Sequence, residues 1–171
     1  MTICLVGSEM CIRDSIYVNA MRPGHPCIVG TWPFVSDLRT GAMSGGSGEQ
    51  GLLTAACAQM LQYYNLPGGA ASGMADSKMP DAQSGYEKGS TLVMAGLSGL
   101  NMVYEAAGMH ASLLGFCLES LIIDNDMLGQ CLRCVRGIEV NDQTIGIQVM
   151  KDVCMGGPGP VSYTHLTLPT K

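Results

Sequence analysis

The chain lacks a basic patch. Its 171 residues carry nine Lys and Arg against fourteen Asp and Glu, a formal net charge of −5. With no cluster of cations to neutralise phosphates, nucleic acid is not an expected partner. Aromatics are scarce too, at 5% of residues with a single Trp and two Phe. Nor is there an uninterrupted apolar run of the roughly 18 residues that a membrane-spanning helix requires. The nearest stretch, 95–123, is broken by Glu105, His110 and Glu119, so no membrane association is expected. Glycine (23) and methionine (13) are plentiful instead, and the length suffices for one domain with a buried core.

The two ends differ from the body. Residues 4–15, CLVGSEMCIRDS, back-translate onto a transposon-end sequencing adapter whose last part reads GAG ATG TGT ATA AGA GAC AG. Residues 161–170, VSYTHLTLPT, start from the reverse complement of the same end and run into the opposite adapter. We therefore expect residues 1–15 and 160–171 to be adapter-derived and residues 16–159 to be the fold-bearing piece of a longer chain. A targeting peptide is the other reading of the start, but Glu9, Arg13 and Asp14 interrupt any apolar core and no basic segment precedes it. Removing the ends takes away Glu9, Asp14, Arg13 and Lys171, so the body keeps the net charge of −5. It retains Cys27, Cys57, Cys117, Cys131, Cys134 and Cys154. An apolar chain without a secretory signal points to reduced thiols and a cytoplasmic location rather than a disulfide framework.

Within the body a unit recurs: short strand, acidic loop, helix. Residues 16–26 read as loop. Residues 27–32, CIVGTW, read as a strand bounded by Pro26 and Pro33. A loop through Asp37 and the glycine cluster of residues 44–48, SGGSG, leads to a helix with Ser47 as N-cap and Glu49 in its first turn. A second strand is expected at 69–73, with Asp76 in the loop that follows and a helix opening near Ser84 and running to about Gly99. A third begins at Asn101, with Glu105 near its end, and its helix is expected from Ala111 to Arg136. A last helix spans 141–153. The spacing of about 30–40 residues between strand starts is that of successive βα units. The fold class expected is α/β: a fragment of a (β/α)8 TIM barrel holding three to four units, with a doubly wound open sheet as the alternative.

In such folds chemistry gathers at the carboxyl ends of the strands. Trp32, Phe34, Asp37, Asp76, Tyr104 and Glu105 would line one mouth there. Rings and carboxylates together suit a small cation, including a methylated amine; a core role for the rings and helix capping for the acids is the competing reading. His110, at a strand–helix junction, could act as acid, base or ligand, or be a buried polar residue with its bonds satisfied. Residues 131–134, CLRC, lack the second cysteine pair of a zinc site and read as two small buried residues. Asp124-Asn125-Asp126 lacks the Gly and closing Glu of a calcium loop and reads as a polar turn. The SGGSG cluster lacks a P-loop lysine and reads as a flexible helix entry rather than a phosphate cradle.

Longer strings carry more. GTWPFVSDLRTGAMSGGSGEQ, PGGAASGMADSKMPDAQSGYEKG, NMVYEAAGMHASLLGFCLESLIIDNDMLG and CLRCVRGIEV resemble the trimethylamine methyltransferase family across residues 25–159. The resemblance implies a (β/α)8 barrel that moves a methyl group from trimethylamine to the cobalt of a corrinoid carried by a separate small protein, on the route from methylamines to methane. It implies no cofactor bound directly, a cognate corrinoid protein and a small methylated amine as partners, and leaves homo-oligomer formation open. Methanogen members carry pyrrolysine, encoded by an amber codon, in the context NDMLG–x–CLRCVRGIEV. Here x is Gln130, which is what an amber codon read as glutamine would leave. On this reading Gln130 marks the catalytic position, whose pyrroline imine would receive and orient the amine, and Trp32, Asp37, Glu49, Asp76, Tyr104, Glu105 and His110 are the substrate-binding candidates. A native glutamine at 130 would point instead to the relatives that demethylate quaternary amines such as glycine betaine. A non-catalytic amine-binding barrel is the third reading. Three units expose apolar strand edges, so the 171-residue chain alone is expected to be inactive and to melt without a sharp transition.

Overall fold

The structure, a computed structural model, describes residues 3–4 and 6–154. The chain divides into two compact units, Met1–Arg136 and Gly137–Lys171.

The first unit is a mixed α/β body around a parallel sheet. Its elements are β1 (Ile3–Cys4), α1 (Val6–Met21), β2 (Val29–Thr31), β3 (Phe34–Ser36), β4 (Met43–Ser44), α2 (Gly48–Tyr63), β5 (Gly68–Ala71), α3 (Ala82–Leu97), β6 (Met102–Tyr104), β7 (Met109–His110), β8 (Gly115–Phe116) and α4 (Leu118–Arg136). The parallel sheet runs in the order β2-β5-β6, with Thr31 beside Ala70 and Ala71 beside Tyr104. Helices α2 and α3 make the two crossovers, and α2 packs on α3 and α3 on α4. The central strand, GGAA, is buried throughout. It is made of small residues because a neighbour lies across it: a Cβ at Gly69 would meet the Tyr104 ring at 3.0 Å and the Met102 carbonyl oxygen at 2.7 Å. Val29, Cys57, Ala58, Leu61, Ala70, Ala71, Leu92 and Ala95 form the core between sheet and helices.

The helix boundaries follow local chemistry. Ser47 caps α2 by accepting the Gln50 N–H, as its position ahead of Glu49 predicts. Helix α3 opens at Ala82, two residues ahead of Ser84, and Asp81 caps it by accepting the Ser84 N–H at 2.9 Å. Each cap satisfies one of the orphan N–H groups of a first turn.

Four stretches differ from the sequence expectation. Residues 16–21 continue α1 instead of forming a loop. Pro23, Pro26 and Gly24 (φ +74) all lie beyond Met21, so they end the helix without interrupting it. The loop at 34–48 contains an antiparallel pairing, Val35 with Ser44, which β1 extends through Ile3 with Val35. Residues 109–116 form the β7–β8 hairpin, so the third helix starts at Leu118 and not at Ala111. Ala111, Ser112 and Leu113 all have left-handed backbone (φ 49, 51 and 79), which no right-handed helix can include. Their turn is tied to the β5 loop by the Ala111 N–H to the Ser77 carbonyl and the Ser112 N–H to the Ala75 carbonyl.

In the second unit the expected helix at 141–153 is two helices, α5 (Asp142–Ile145) and α6 (Ile147–Cys154). Asn141 and Thr144 form a capping box, and Gly146 breaks the run by adopting left-handed backbone (φ 64). No helix among the described residues is long and apolar enough to cross a membrane.

Candidate functional site

The parallel strands end on one edge of the sheet, and three of the expected residues lie along it. Trp32 directly follows β2, Tyr104 ends β6, and Glu105 directly follows it. The Trp32 and Tyr104 rings stack across the small central strand, centroids 5.5 Å apart and planes 29° apart. The Tyr104 hydroxyl donates towards the carbonyls of Thr31 and Gly69, each at 3.1 Å, which fixes the ring over β5. Trp32 keeps 37% of its surface exposed, so part of the indole is open to solvent.

Glu105 stands in left-handed backbone (φ 63), an unusual conformation for a non-glycine residue. Its Oε2 is buried and has no hydrogen-bond partner, and burial pushes its carboxyl above the usual range. The residue after β5, Ser72, is 1% exposed, and its hydroxyl also lacks a partner. The Ser72 N–H donates to the Tyr104 carbonyl at 3.2 Å, so Ser72 and Glu105 occupy neighbouring positions just past the last ladder pair.

Asp76 is close in sequence and opposite in character. Its carboxylate accepts from the Ser44 and Ser112 hydroxyls and from the N–H groups of Gly45 (2.7 Å) and Gly46 (3.2 Å). Burial works to raise this carboxyl, but the bonds from Ser112, Ser44, Gly45 and Gly46 outweigh it and hold the group below its ordinary value. The glycine cluster is thus not a flexible helix entry. Its backbone N–H groups form an anion nest of the kind that holds phosphates elsewhere, and this nest is occupied by the protein's own aspartate. Gly46 is required by Glu87, whose Oε2 would lie 2.7 Å from a Cβ there. Glu87 in turn accepts from the Asp76 and Ser77 N–H groups and from the Gln83 amide.

His110 sits in a second buried network, one that sequence reasoning missed. Lys88, 0% exposed, donates to Asp124 Oδ2 at 2.6 Å, and the same oxygen accepts the Gly108 N–H at 2.7 Å. His110 Nδ1 faces the Ser77 carbonyl at 3.1 Å, an acceptor only, so Nδ1 carries the proton. Nε2 is then the acceptor for the Ser120 hydroxyl and for the Lys88 ammonium at 3.4 Å. With both ring nitrogens engaged, His110 has no free lone pair for a metal. Asp124 is therefore not part of a polar turn but a buried partner in mid-helix. The signal was present in α3: Ser84, Glu87, Lys88, Thr91, Leu92 and Ala95 follow one buried helical stripe.

Gln130 lies elsewhere. It is exposed on α4 and lines a cleft between α3 and α4 with Pro80, Asp81, Ser84, Gly85, Ser120, Ile123, Asp124, Asp126 and Met127. Asp37 and Glu49 line a separate surface recess with Ser44, Ser47 and Leu38. Gln130 and Asp37, expected at one mouth, thus line two different recesses. Position 130 falls within helix α4 and lines its cleft with α3, whereas Glu105 directly follows strand β6. Asp37 turns back on its own loop: the Arg39 N–H, with lesser help from the Arg39 and Thr40 side chains, holds its carboxyl below the usual value against a small effect of burial. The cysteine pair is split as well. Cys131 is buried, its thiol pushed up by burial and by neighbouring Cys134, while Cys134 is exposed. Cys27, Cys117, Cys131 and Cys134 are free thiols. Among the described residues no group of three His, Cys, Asp or Glu could hold a metal ion.

Comparison with known proteins agrees with the sequence resemblance. The glycine betaine methyltransferase of Desulfitobacterium hafniense (strain Y51) is 33% identical over 156 residues, which cover 91% of this chain and 32% of that protein. The trimethylamine methyltransferase MttB of Methanosarcina thermophila is 36% identical over 141 residues, covering 82% and 29%. That of Methanosarcina barkeri (strain Fusaro / DSM 804) is 37% identical over 134 residues, covering 78% and 27%. The chain thus spans about a third or less of the curated relatives it matches. The family model described as trimethylamine methyltransferase (MTTB) matches residues 3–159, and the chain belongs to that family.

Proposed function

We propose that the protein to which this chain belongs moves a methyl group from trimethylamine to the cobalt of a corrinoid held on a separate protein, in the use of methylamines for methane formation. The observation that carries the reading is the joining of family membership to the stacked Trp32–Tyr104 pair at the carboxyl ends of β2 and β6, where Glu105 follows in sequence with one carboxylate oxygen unpartnered. A ring face and a carboxylate both attract an ammonium group, and attraction strengthens where water is thinned. Trp32, Tyr104 and Glu105 would hold the amine and orient one methyl group outward. The corrinoid, brought by its partner protein, supplies the metal that accepts the methyl group.

The parallel order β2-β5-β6, with α2 and α3 side by side, supports the finer fold reading of a (β/α)8 barrel segment. A doubly wound sheet reverses its strand order at some point, and these three strands keep sequence order. The reading extends to a cytoplasmic protein whose residues 16–159 are the barrel segment and whose ends are adapter-derived. Asp37, Glu49, Asp76 and His110 are assigned supporting rather than substrate contacts, because their partners lie within the chain or their recess is separate.

Gln130 as the pyrrolysine position is a distinct part of the proposal, carried by the resemblance alone. The codon at 130 tests it: an amber codon supports it, and CAA or CAG ends it and favours a quaternary amine such as glycine betaine as substrate. The glycine betaine methyltransferase among the relatives gives that alternative its own support. The activity is tested by mixing the complete protein with its corrinoid protein in the cobalt(I) state and trimethylamine, and following the cobalt absorbance. Conversion to methylcobalt supports the reading. Amine binding without conversion favours a non-catalytic amine-binding barrel.

A further inference from the structure

Helix α4 carries two cysteines three positions apart, Cys131 and Cys134. Side chains at that spacing on a helix are neighbours, with Cβ atoms about 5–6 Å apart. Their Cα atoms fall inside the roughly 4.4–6.8 Å that a disulfide accepts. Both thiols are free, and they differ in access. Cys131 is 7% exposed, and its thiol points at the Gly89 carbonyl of α3, 3.9 Å away. The seam between the two helices is tight there, since an added Cβ at Gly89 or Gly96 would meet Met127 or Val135. Cys134 is exposed. An exposed thiol beside a buried one is the arrangement in which the first attacks and the second resolves.

We propose that Cys131 and Cys134 form a reversible dithiol–disulfide pair, a redox modification site that small disulfides such as oxidised glutathione reach through Cys134. The pair's chemistry is independent of the amine reading, since it needs only two thiols and their unequal burial. As thiolate, Cys134 attacks one sulfur of the small disulfide and expels the other as a thiolate, leaving a mixed disulfide. Cys131 then gives its proton to solvent, and its sulfur attacks Cys134 Sγ and displaces the second small thiolate. The two protein thiols lose two electrons and two protons, and the small disulfide becomes two thiols. Burial, with a lesser share from neighbouring Cys134, holds the Cys131 thiol above its ordinary value. Cys131 therefore stays protonated until the mixed disulfide places an electrophilic sulfur beside it. Closing the bond draws the Cβ atoms together by about an ångström, since those of a disulfide lie about 3.5–4.5 Å apart. A bond formed under such strain is readily reduced, as regulatory disulfides are. It also removes the proton that Cys131 directs at Gly89, in the turn that follows Gln130.

The test incubates the complete protein anaerobically with oxidised glutathione at mildly alkaline pH, blocks the remaining thiols with N-ethylmaleimide, and follows residues 131 and 134 by peptide mass mapping. Wild type is expected to end as the Cys131–Cys134 disulfide with no glutathione attached, and dithiothreitol is expected to restore both thiols. Cys131→Ser is expected to stop at a mixed disulfide on Cys134. Cys134→Ser is expected to leave Cys131 reduced, reacting at least about tenfold more slowly than Cys134 does in Cys131→Ser, because a buried, protonated thiol is a poor nucleophile. The wild-type product decides the matter even where a variant folds poorly. A lasting glutathione adduct on Cys134 in the wild type, a disulfide from either residue to a different cysteine, or two unreacted thiols overturns the pair. Reaction at Cys131 as fast as at Cys134 overturns the division into attacking and resolving thiols.

Discussion

Asp76 and Glu105 are carboxylates that follow consecutive strands of one sheet, and they have opposite fates. Asp76 is saturated by two hydroxyls and two backbone N–H groups and lies below its ordinary pKa of 3.8. Glu105 keeps a buried oxygen without a partner and lies above its ordinary 4.5. Sequence spacing treats them alike, as acids at strand tips. The difference shows that an acid at a strand tip can be spent on the fold or left available for a ligand, and only its donors tell which. Asp76 joins the Ser44–Gly46 loop to the β7–β8 turn, so its carboxylate acts as a structural knot. Glu105 keeps an acceptor oxygen that no neighbouring group engages.

The third acid of this kind is Asp124, and it sharpens the comparison because its donor is a cation. Breaking the buried Lys88–Asp124 pair by Asp124→Ala leaves an ammonium in the interior and is expected to cost about 3–5 kcal/mol. Thermal denaturation of the complete protein would read this as the largest loss in the series. Replacing both partners together, Lys88→Met with Asp124→Leu, is expected to recover much of that loss, since no charge is then stranded. A double variant as unstable as the single one would mean that His110 and Gly108, not the charge, account for the effect.

Asp76→Asn comes next, at about 1–3 kcal/mol, because an amide nitrogen would face donors that need an acceptor. The pH dependence has a definite sign. A folded-state pKa below 3.8 means that Asp76 contributes stability in full above that value and loses it as pH falls through the folded pKa. The wild type is therefore expected to lose stability on acidification through this range, and Asp76→Asn to lose less of it. Acid melts of equal slope for the two would show that the knot contributes nothing. Ser47→Ala, which removes only the cap of α2, is expected to cost about 1 kcal/mol.

These cases also mark what the sequence can and cannot tell. The βα pitch, the β2 strand between its prolines and the Ser47 cap were legible because each depends on residues a few positions apart. The partners of Asp76 were not, because Ser44 and Ser112 lie 32 and 36 residues away and only the fold brings them in. Asp124 read as part of a polar turn, and Lys88 carried no signal, for the same reason: they are 36 apart on different helices. The β7–β8 hairpin was hidden by an apolar run, residues 111–118, whose composition suits a helix and whose backbone does not. Of the site, the Trp32–Tyr104 pair and Glu105 were visible as residue types at strand ends.

Glu105→Gln gives the smallest effect on stability and the most direct test of the contrast with Asp76. A carboxyl raised above 4.5 by burial imposes its cost where it is ionised, so the cost is absent well below 4.5, grows as pH rises through the folded pKa and persists at neutral pH. Glutamine removes that charge and is expected to leave the melting temperature at pH 7 unchanged or slightly higher, while amine binding falls. For Asp76→Asn the signs reverse: stability drops, and amine binding in the variant that still folds stays close to wild type. If Glu105→Gln instead lowered stability as Asp76→Asn does, the Glu105 carboxylate would have an internal donor after all. The two acids would then be equivalent, and the strand edge would hold no open acceptor for a ligand.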